Sequence, residues 1–178
     1  MALELAQVIA AAKQGDKQAF YQLYQHYIDR VYAICWRLLA NKQQAEDASQ
    51  EIFIKVWQQL PSFRGDSEFA TWLHSIATRS AIDLWRQQKY LRLTDSAESL
   101  SESLAELAGQ QVPCSSVQLT LEQAIQRLPS QARAVFVLCA LEGYQHQQIA
   151  TQLGIAEGSS KAQYHRARQL LQEYLADE

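Results

Sequence analysis

A chain of 178 residues with 48% hydrophobic composition can bury one core of moderate size or two small ones, and only three prolines and six glycines in that length favour helices. No apolar run is long enough to cross a bilayer, and Met1 to Lys13 carries Glu4 without a basic leader, so neither a membrane insertion nor a signal peptide is expected. A formal net charge of -3 argues against strong unaided binding to duplex DNA, because neutralising phosphates drives most non-specific affinity. The charge is unevenly spread. Residues 1–92 hold eleven Lys and Arg against nine Asp and Glu, 93–118 hold four acids and no base, and 119–178 hold five bases against six acids.

Leu3 to Lys13 and Lys17 to Leu39 read as amphipathic helices separated by Gly15-Asp16. In the second, Phe20, Leu23, Tyr24, Tyr27, Val31, Ile34, Cys35 and Leu38 recur at helical spacing, an aromatic density better suited to a core than to a ligand box. Asn41-Lys42-Gln43-Gln44 is expected to break the pattern. A helix from Asp47 to Leu60 then buries Ala48, Ile52, Phe53, Val56, Trp57 and Leu60 as one stripe, which gathers Asp47, Gln50, Glu51, Ile54 and Gln58 on the opposite side. An isoleucine centred among carboxylates and amides suits a docking surface, although a single exposed apolar residue is also ordinary.

Leu60 to Ser67 reads as a loop with Pro and Gly punctuation, a Phe, an Arg and a capping Asp or Ser. From about Ser67 to Lys89 the helical pattern returns. Phe69, Trp72, Leu73, Ile76, Ala77 and Leu84 are its expected core, whereas Thr71, His74, Ser75, Thr78, Ile82, Trp85, Arg86 and Lys89 cluster on the other side. Alternating basic, hydroxyl and aromatic groups suit a single nucleic-acid strand, with cations along the phosphates and the indole under an unstacked base. The alternative for Trp85 is packing against a neighbouring helix, the commoner fate of a tryptophan. These segments predict one helical bundle ending near Arg92.

From Leu93 to Val117 Ser, Glu, Ala and Gln dominate, aromatics vanish, and Gly109 and Pro113 interrupt any helix, so 93–118 reads as a flexible acidic linker. Ser101 to Ala108 could wind transiently if Leu100, Leu104 and Leu107 found a partner surface. Order returns at Leu119, with a short stripe of Leu121, Ile125 and Leu128. Pro129 then starts a helix carried by Ala132, Val135, Phe136, Leu138, Cys139 and Leu141 to a C-capping Gly143. Gln147 to Leu153, the turn Gly154-Ile155-Ala156 and a last helix from Glu157 to about Leu175 form a helix-turn-helix pattern, which helical hairpins also share. Between Gly158 and Gln172 the last helix holds Lys161, His165, Arg166 and Arg168 and no acid. Turning Tyr164, Ala167 and Leu171 inward leaves Ser159, Lys161, Ala162, Gln163, His165 and Arg166 for a major groove. The predicted fold class is therefore all-α, two small helical domains (1–92 and 119–178) joined by the linker.

Two long stretches carry a family resemblance. Asp47-Ala-Ser-Gln-Glu-Ile-Phe-Ile-Lys-Val-Trp57, Ser62-Phe-Arg-Gly-Asp-Ser67 and Phe69-Ala-Thr-Trp-Leu-His-Ser-Ile-Ala77, preceded by Gly15-Asp-Lys-Gln-Ala-Phe20, closely resemble the first conserved domain of extracytoplasmic-function sigma factors, specificity subunits of bacterial RNA polymerase. Leu128-Pro129, Gly143, Ile149-Ala150, Leu153-Gly154-Ile155, Gly158 and His165-Arg166-Ala167-Arg168 resemble the second. The resemblance implies a cytoplasmic alternative sigma factor that binds core polymerase through the Asp47 to Gln58 face. Its first domain would hold the melted minus-ten strand, with a flipped base against Phe63, Arg64 and Arg79, and its second would read the minus-thirty-five duplex. It also implies control by an anti-sigma factor. The chain departs from the family pattern at Ser160, where an apolar β-branched residue is usual, at Ala162 and Gln163, where Ser and Arg are usual, and at Arg79 in place of Asn.

No catalytic arrangement is legible. Acid pairs such as Glu46-Asp47 sit at helix starts, where the macrodipole favours anions anyway. His26, His74, His146 and His165 lack ligand spacing with one another or with Cys35, Cys114 and Cys139, so neither a metal nor a cofactor is expected. The scattered cysteines suit a reducing compartment, and Cys114 in the linker is a candidate redox sensor, although a lone linker cysteine is more often incidental. Two other readings stand at this level. One is a helix-turn-helix regulator acting without polymerase, and the other is a protein-interaction module that has lost DNA binding.

Overall fold

The computed structural model describes residues 2–94 and 120–176, and every regular element among them is helical. Of the expected linker at 93–118, residues 93 and 94 fall in a helix, and residues 95–118, with Cys114 and the stretch 101–108, lie outside the described residues. By contact the chain forms two compact units, Met1–Trp36 with Asn41–Ala81, and Arg37–Ala40 with Ile82–Glu178. No described helix is long and apolar enough to cross a membrane.

Helices α1 (Ala2–Lys13) and α2 (Lys17–Leu39) meet the sequence expectation, and Asp16 caps α2 by accepting from the Gln18 and Ala19 amides at 2.8 and 3.2 Å. Leu23, Tyr27, Val31, Ile34 and Cys35 form a buried row along α2. Burial pushes the Cys35 thiol up to about 11, so it stays protonated and unreactive at neutral pH.

Helix α3 (Lys42–Gln59) corrects the expected break at Asn41 to Gln44. Asn41 is its N-cap, accepting from the Gln44 amide at 3.0 Å, and the chain needs no irregular stretch because Ala40, at φ +51°, makes the turn from α2 in one left-handed residue. The predicted stripe of α3 is buried, except that Trp57 is half-exposed and edge-packed on Phe20 with ring centres 4.7 Å apart. A short 3₁₀ turn, Leu60–Ser62, leads into the loop before α4 (Phe69–Thr94).

Helix α4 departs most from expectation. Phe69, Leu73 and Ala77 are buried as predicted, while Trp72, Ile76 and Leu84 are only half-buried. Thr78, Ile82 and Trp85, placed by the pattern on the outward face, are 0%, 3% and 3% exposed. For Ile82 and Trp85, which belong to the second unit, the reason is a second packing surface. In the second unit the Trp85 indole donates to Ser130 Oγ at 3.0 Å, and the Lys89 ammonium lies 5.4 Å from the Trp85 ring and donates to Gln131 at 3.4 Å.

The rest of the second unit comprises α5 (Leu121–Arg127), α6 (Ser130–Phe136, continued by a π turn at Val137–Leu141), α7 (His146–Leu153) and α8 (Glu157–Ala176). Thr120 and Gln123 close a capping box at the start of α5, and Arg37 grips the Glu122 carboxylate through both oxygens. Leu121, expected in the core stripe, is 51% exposed, because the adjacent capping box turns the first residue of so short a helix outward. Pro129 falls one position ahead of α6, as its N-cap. Gly154, at φ +65°, ends α7 in the left-handed conformation that only glycine adopts cheaply. The tight connection to α8 lets that helix pack along both α6 and α7, around Ala167 and Leu171.

Candidate nucleic-acid interface

On α3 the five residues set apart by the pattern, Asp47, Gln50, Glu51, Ile54 and Gln58, are all exposed. Ile54 is 58% exposed, an aliphatic side chain in water with acids and amides around it. Asp47 accepts from Gln43 at 3.1 Å, which braces one end of the row.

The strand-facing set divides. Arg64, Thr71, Arg79 and Arg86 are exposed, and His74, Ser75 and Lys89 are half-buried. Ser75 spends its hydroxyl on the Trp72 carbonyl at 2.8 Å, and Arg86 lies 3.9 Å from Asp83. Thr78, Ile82 and Trp85 are withdrawn from the surface as described. Phe63 is 9% exposed, with its ring 5.8 Å from Phe69 and 5.0 Å from Trp72. Its carbonyl accepts from the Lys13 ammonium at 2.5 Å. The loop therefore anchors itself by Phe63 and presents Arg64.

In the helix-turn-helix, Ser159, Lys161, Ala162 and His165 are exposed along α8, and Gln163 and Arg166 are half-buried. Lys161 pairs with Glu157 at 2.7 Å, which holds the Glu157 carboxyl below its usual range. Ser160 is fully buried, where an apolar packing residue would be expected, and its Oγ lies 2.9 Å from His146 Nδ1. The ring of His146 meets Tyr164 edge-on at 5.6 Å, so one imidazole ties the first turn of α7 to two positions of α8. Fourteen residues separate His146 from Ser160, and no local spacing announces the pair. Ser160→Ala removes this tie without filling the space. It should cost the second unit about 1 kcal/mol and weaken duplex binding, with Ser160→Thr restoring both, as thermal melts and duplex titration would measure.

Sequence reasoning also missed a cleft of about 290 Å³ between α2 and the start of α4, which brings Tyr27 and Arg30 beside Thr71 and His74. Arg30 and Thr71 share no sequence neighbourhood, so only the packing of α2 on α4 reveals it.

An all-helical chain with an anchored loop before a long helix in its first part and a helix-turn-helix in its second is the arrangement of a sigma-type transcription factor. The Sigma-70 region 2 family matches residues 23–90, and Sigma-70, region 4 matches 118–171. The chain is 33% identical over 186 aligned positions to the ECF RNA polymerase sigma factor SigW of Bacillus subtilis, covering 99% of this chain and all of that one. It is 30% identical to the RNA polymerase sigma-H factor of Pseudomonas aeruginosa, over 95% of this chain and 92% of that one. Among solved structures, the sigma factor RpoE of Bartonella quintana, in complex with the anti-sigma factor NepR, has a similar fold, with a TM-score of 0.50 and 23% identity over 88% of this chain and 96% of that one. The protein belongs to the extracytoplasmic-function RNA polymerase sigma factors.

Proposed function

We propose that the chain joins core RNA polymerase through the α3 row of Asp47, Gln50, Glu51, Ile54 and Gln58 and directs initiation at promoters read by its two domains. The single observation that carries this is Ile54, an exposed aliphatic centre in an acidic and amide rim on a family member whose work requires a polymerase partner. The first domain, 1–92, would hold the melted minus-ten strand with Arg64, Thr71, His74, Ser75, Arg79, Arg86 and Lys89, and Phe63 would back a flipped base. Extracting a base costs a few kcal/mol, and stacking returns about 1 to 3 kcal/mol, so polymerase contacts must supply the remainder. The second domain, 119–178, would read the minus-thirty-five duplex through Ser159, Lys161, Ala162, Gln163, His165 and Arg166. The matched regions leave 91–117 uncovered, which supports a linker at 93–118.

Work beside the polymerase places the chain in the cytoplasm, and its action is non-enzymatic, a matter of binding and strand capture. An anti-sigma factor is the expected regulator, by analogy with the RpoE chain held by NepR. Co-purification with core polymerase followed by run-off transcription tests the reading. Association together with promoter-dependent transcripts is the expected result, and core binding without initiation, or the reverse, overturns it.

A further inference from the structure

We propose that the cleft between α2 and the start of α4 seats one nucleotide of a single DNA strand, its phosphate on Arg30 and its base against Thr71 and His74. This rests on the reading that the first domain takes melted DNA, and it adds a second capture site to the Phe63-Arg64 loop. The cleft measures about 290 Å³, just under the range of about 300–1,000 Å³ for small-molecule pockets, which is room for a single base. Its floor is apolar and closed, with Val31 and Leu73 buried. The Tyr27 ring lines one wall, and the exposed Arg30 guanidinium lies 5.8 Å from its centre. On the α4 side stand the exposed Thr71 hydroxyl and the half-exposed His74 imidazole. A cation, an aromatic wall and two groups able to meet a base edge, set around an apolar floor, are the parts from which single-strand sites are built.

Two features narrow the ligand to a strand. The first is the pairing of an exposed cation with groups that can meet a base edge, which a free phosphate would leave half unused. Tyr27 also packs on Phe69 at 5.4 Å, and Phe69 on Phe63 at 5.8 Å. One continuous aromatic cluster thus backs both the cleft and the loop, and a strand lying over it meets both sites.

The test uses holoenzyme assembled from the full chain and core polymerase. Its probes are a fluorescent oligodeoxythymidylate of roughly 15 nucleotides and a base-less strand of the same length, each titrated across salt. Arg30→Ala should weaken oligodeoxythymidylate binding about tenfold and reduce the salt slope by about 0.7, one single-strand phosphate, and Arg30→Lys should restore the slope. Thr71→Val should weaken binding of oligodeoxythymidylate and leave the base-less strand unaffected. Unchanged affinity and slope in Arg30→Ala, with Arg64→Ala still impaired, overturns this site and spares the parent reading. Wild-type holoenzyme that ignores both probes overturns both.

Discussion

Ile54→Glu is expected to abolish stable capture of core polymerase while leaving the chain as well folded as before. The two halves of that result have separate physical origins. Ile54 is 58% exposed, so its removal opens no cavity, and surface substitutions of this kind shift stability by no more than about 0.5 kcal/mol. At an interface the same residue would be the apolar centre of a rim made by Asp47, Gln50, Glu51 and Gln58, where central residues commonly contribute 2 kcal/mol or more. A carboxylate there would be desolvated without a partner, so a loss of at least about 30-fold in affinity follows. Replacing rim residues such as Gln58 with Ala should cost far less, because rim groups stay hydrated. Equilibrium binding to core polymerase, read beside a thermal melt, measures both effects. Normal holoenzyme assembly by Ile54→Glu, with an unchanged melt, would remove α3 as the docking row.

The helical character of the chain, the limits of α2 and the exposed row on α3 were legible because each depends on local spacing. The start of α3 was not, since Asn41 acts through its cap and Ala40 through a left-handed backbone angle, neither of which has a hydrophobic period. On α4 the projection of one helix shows which residues share a side and cannot show how many sides are packed. Thr78, Ile82 and Trp85 therefore read as a surface and are found buried, the indole bonded to Ser130. The alternative reading of Trp85, packing on a neighbouring helix, describes what is observed. Ser160 looked like a packing defect because its compensation, the His146 ring, comes from another helix. The cleft at Arg30 was illegible for the same reason, because chemistry assembled across helices has no signature along the chain.

Arg133→Ala should unfold the second unit selectively, at a cost of about 3 kcal/mol or more. Arg133 is 7% exposed, and its Nη1 donates to the carbonyls of Leu128 at 2.9 Å and Gln126 at 3.3 Å. Those carbonyls lie at the end of α5, where a helix leaves its acceptors without intrahelical donors. Pro129, which has no N–H, cannot cap them from the following position. The guanidinium of α6 thus completes α5 and holds the two helices together, and α8 packs on the same α6. Truncation removes the donor to both carbonyls and empties the space of a side chain that is only 7% exposed, so two penalties coincide. Arg133→Lys keeps the charge but reaches the two carbonyls with a single point donor, and its loss should be nearer 1 kcal/mol. Since α3 belongs to the other unit, Arg133→Ala should still assemble with core polymerase while failing to read an upstream duplex element. Chemical denaturation would show an early transition absent from the wild type. A variant that melts like wild type would mean that Arg133 is a bystander, and one that loses core binding as well would mean that the units do not fold separately.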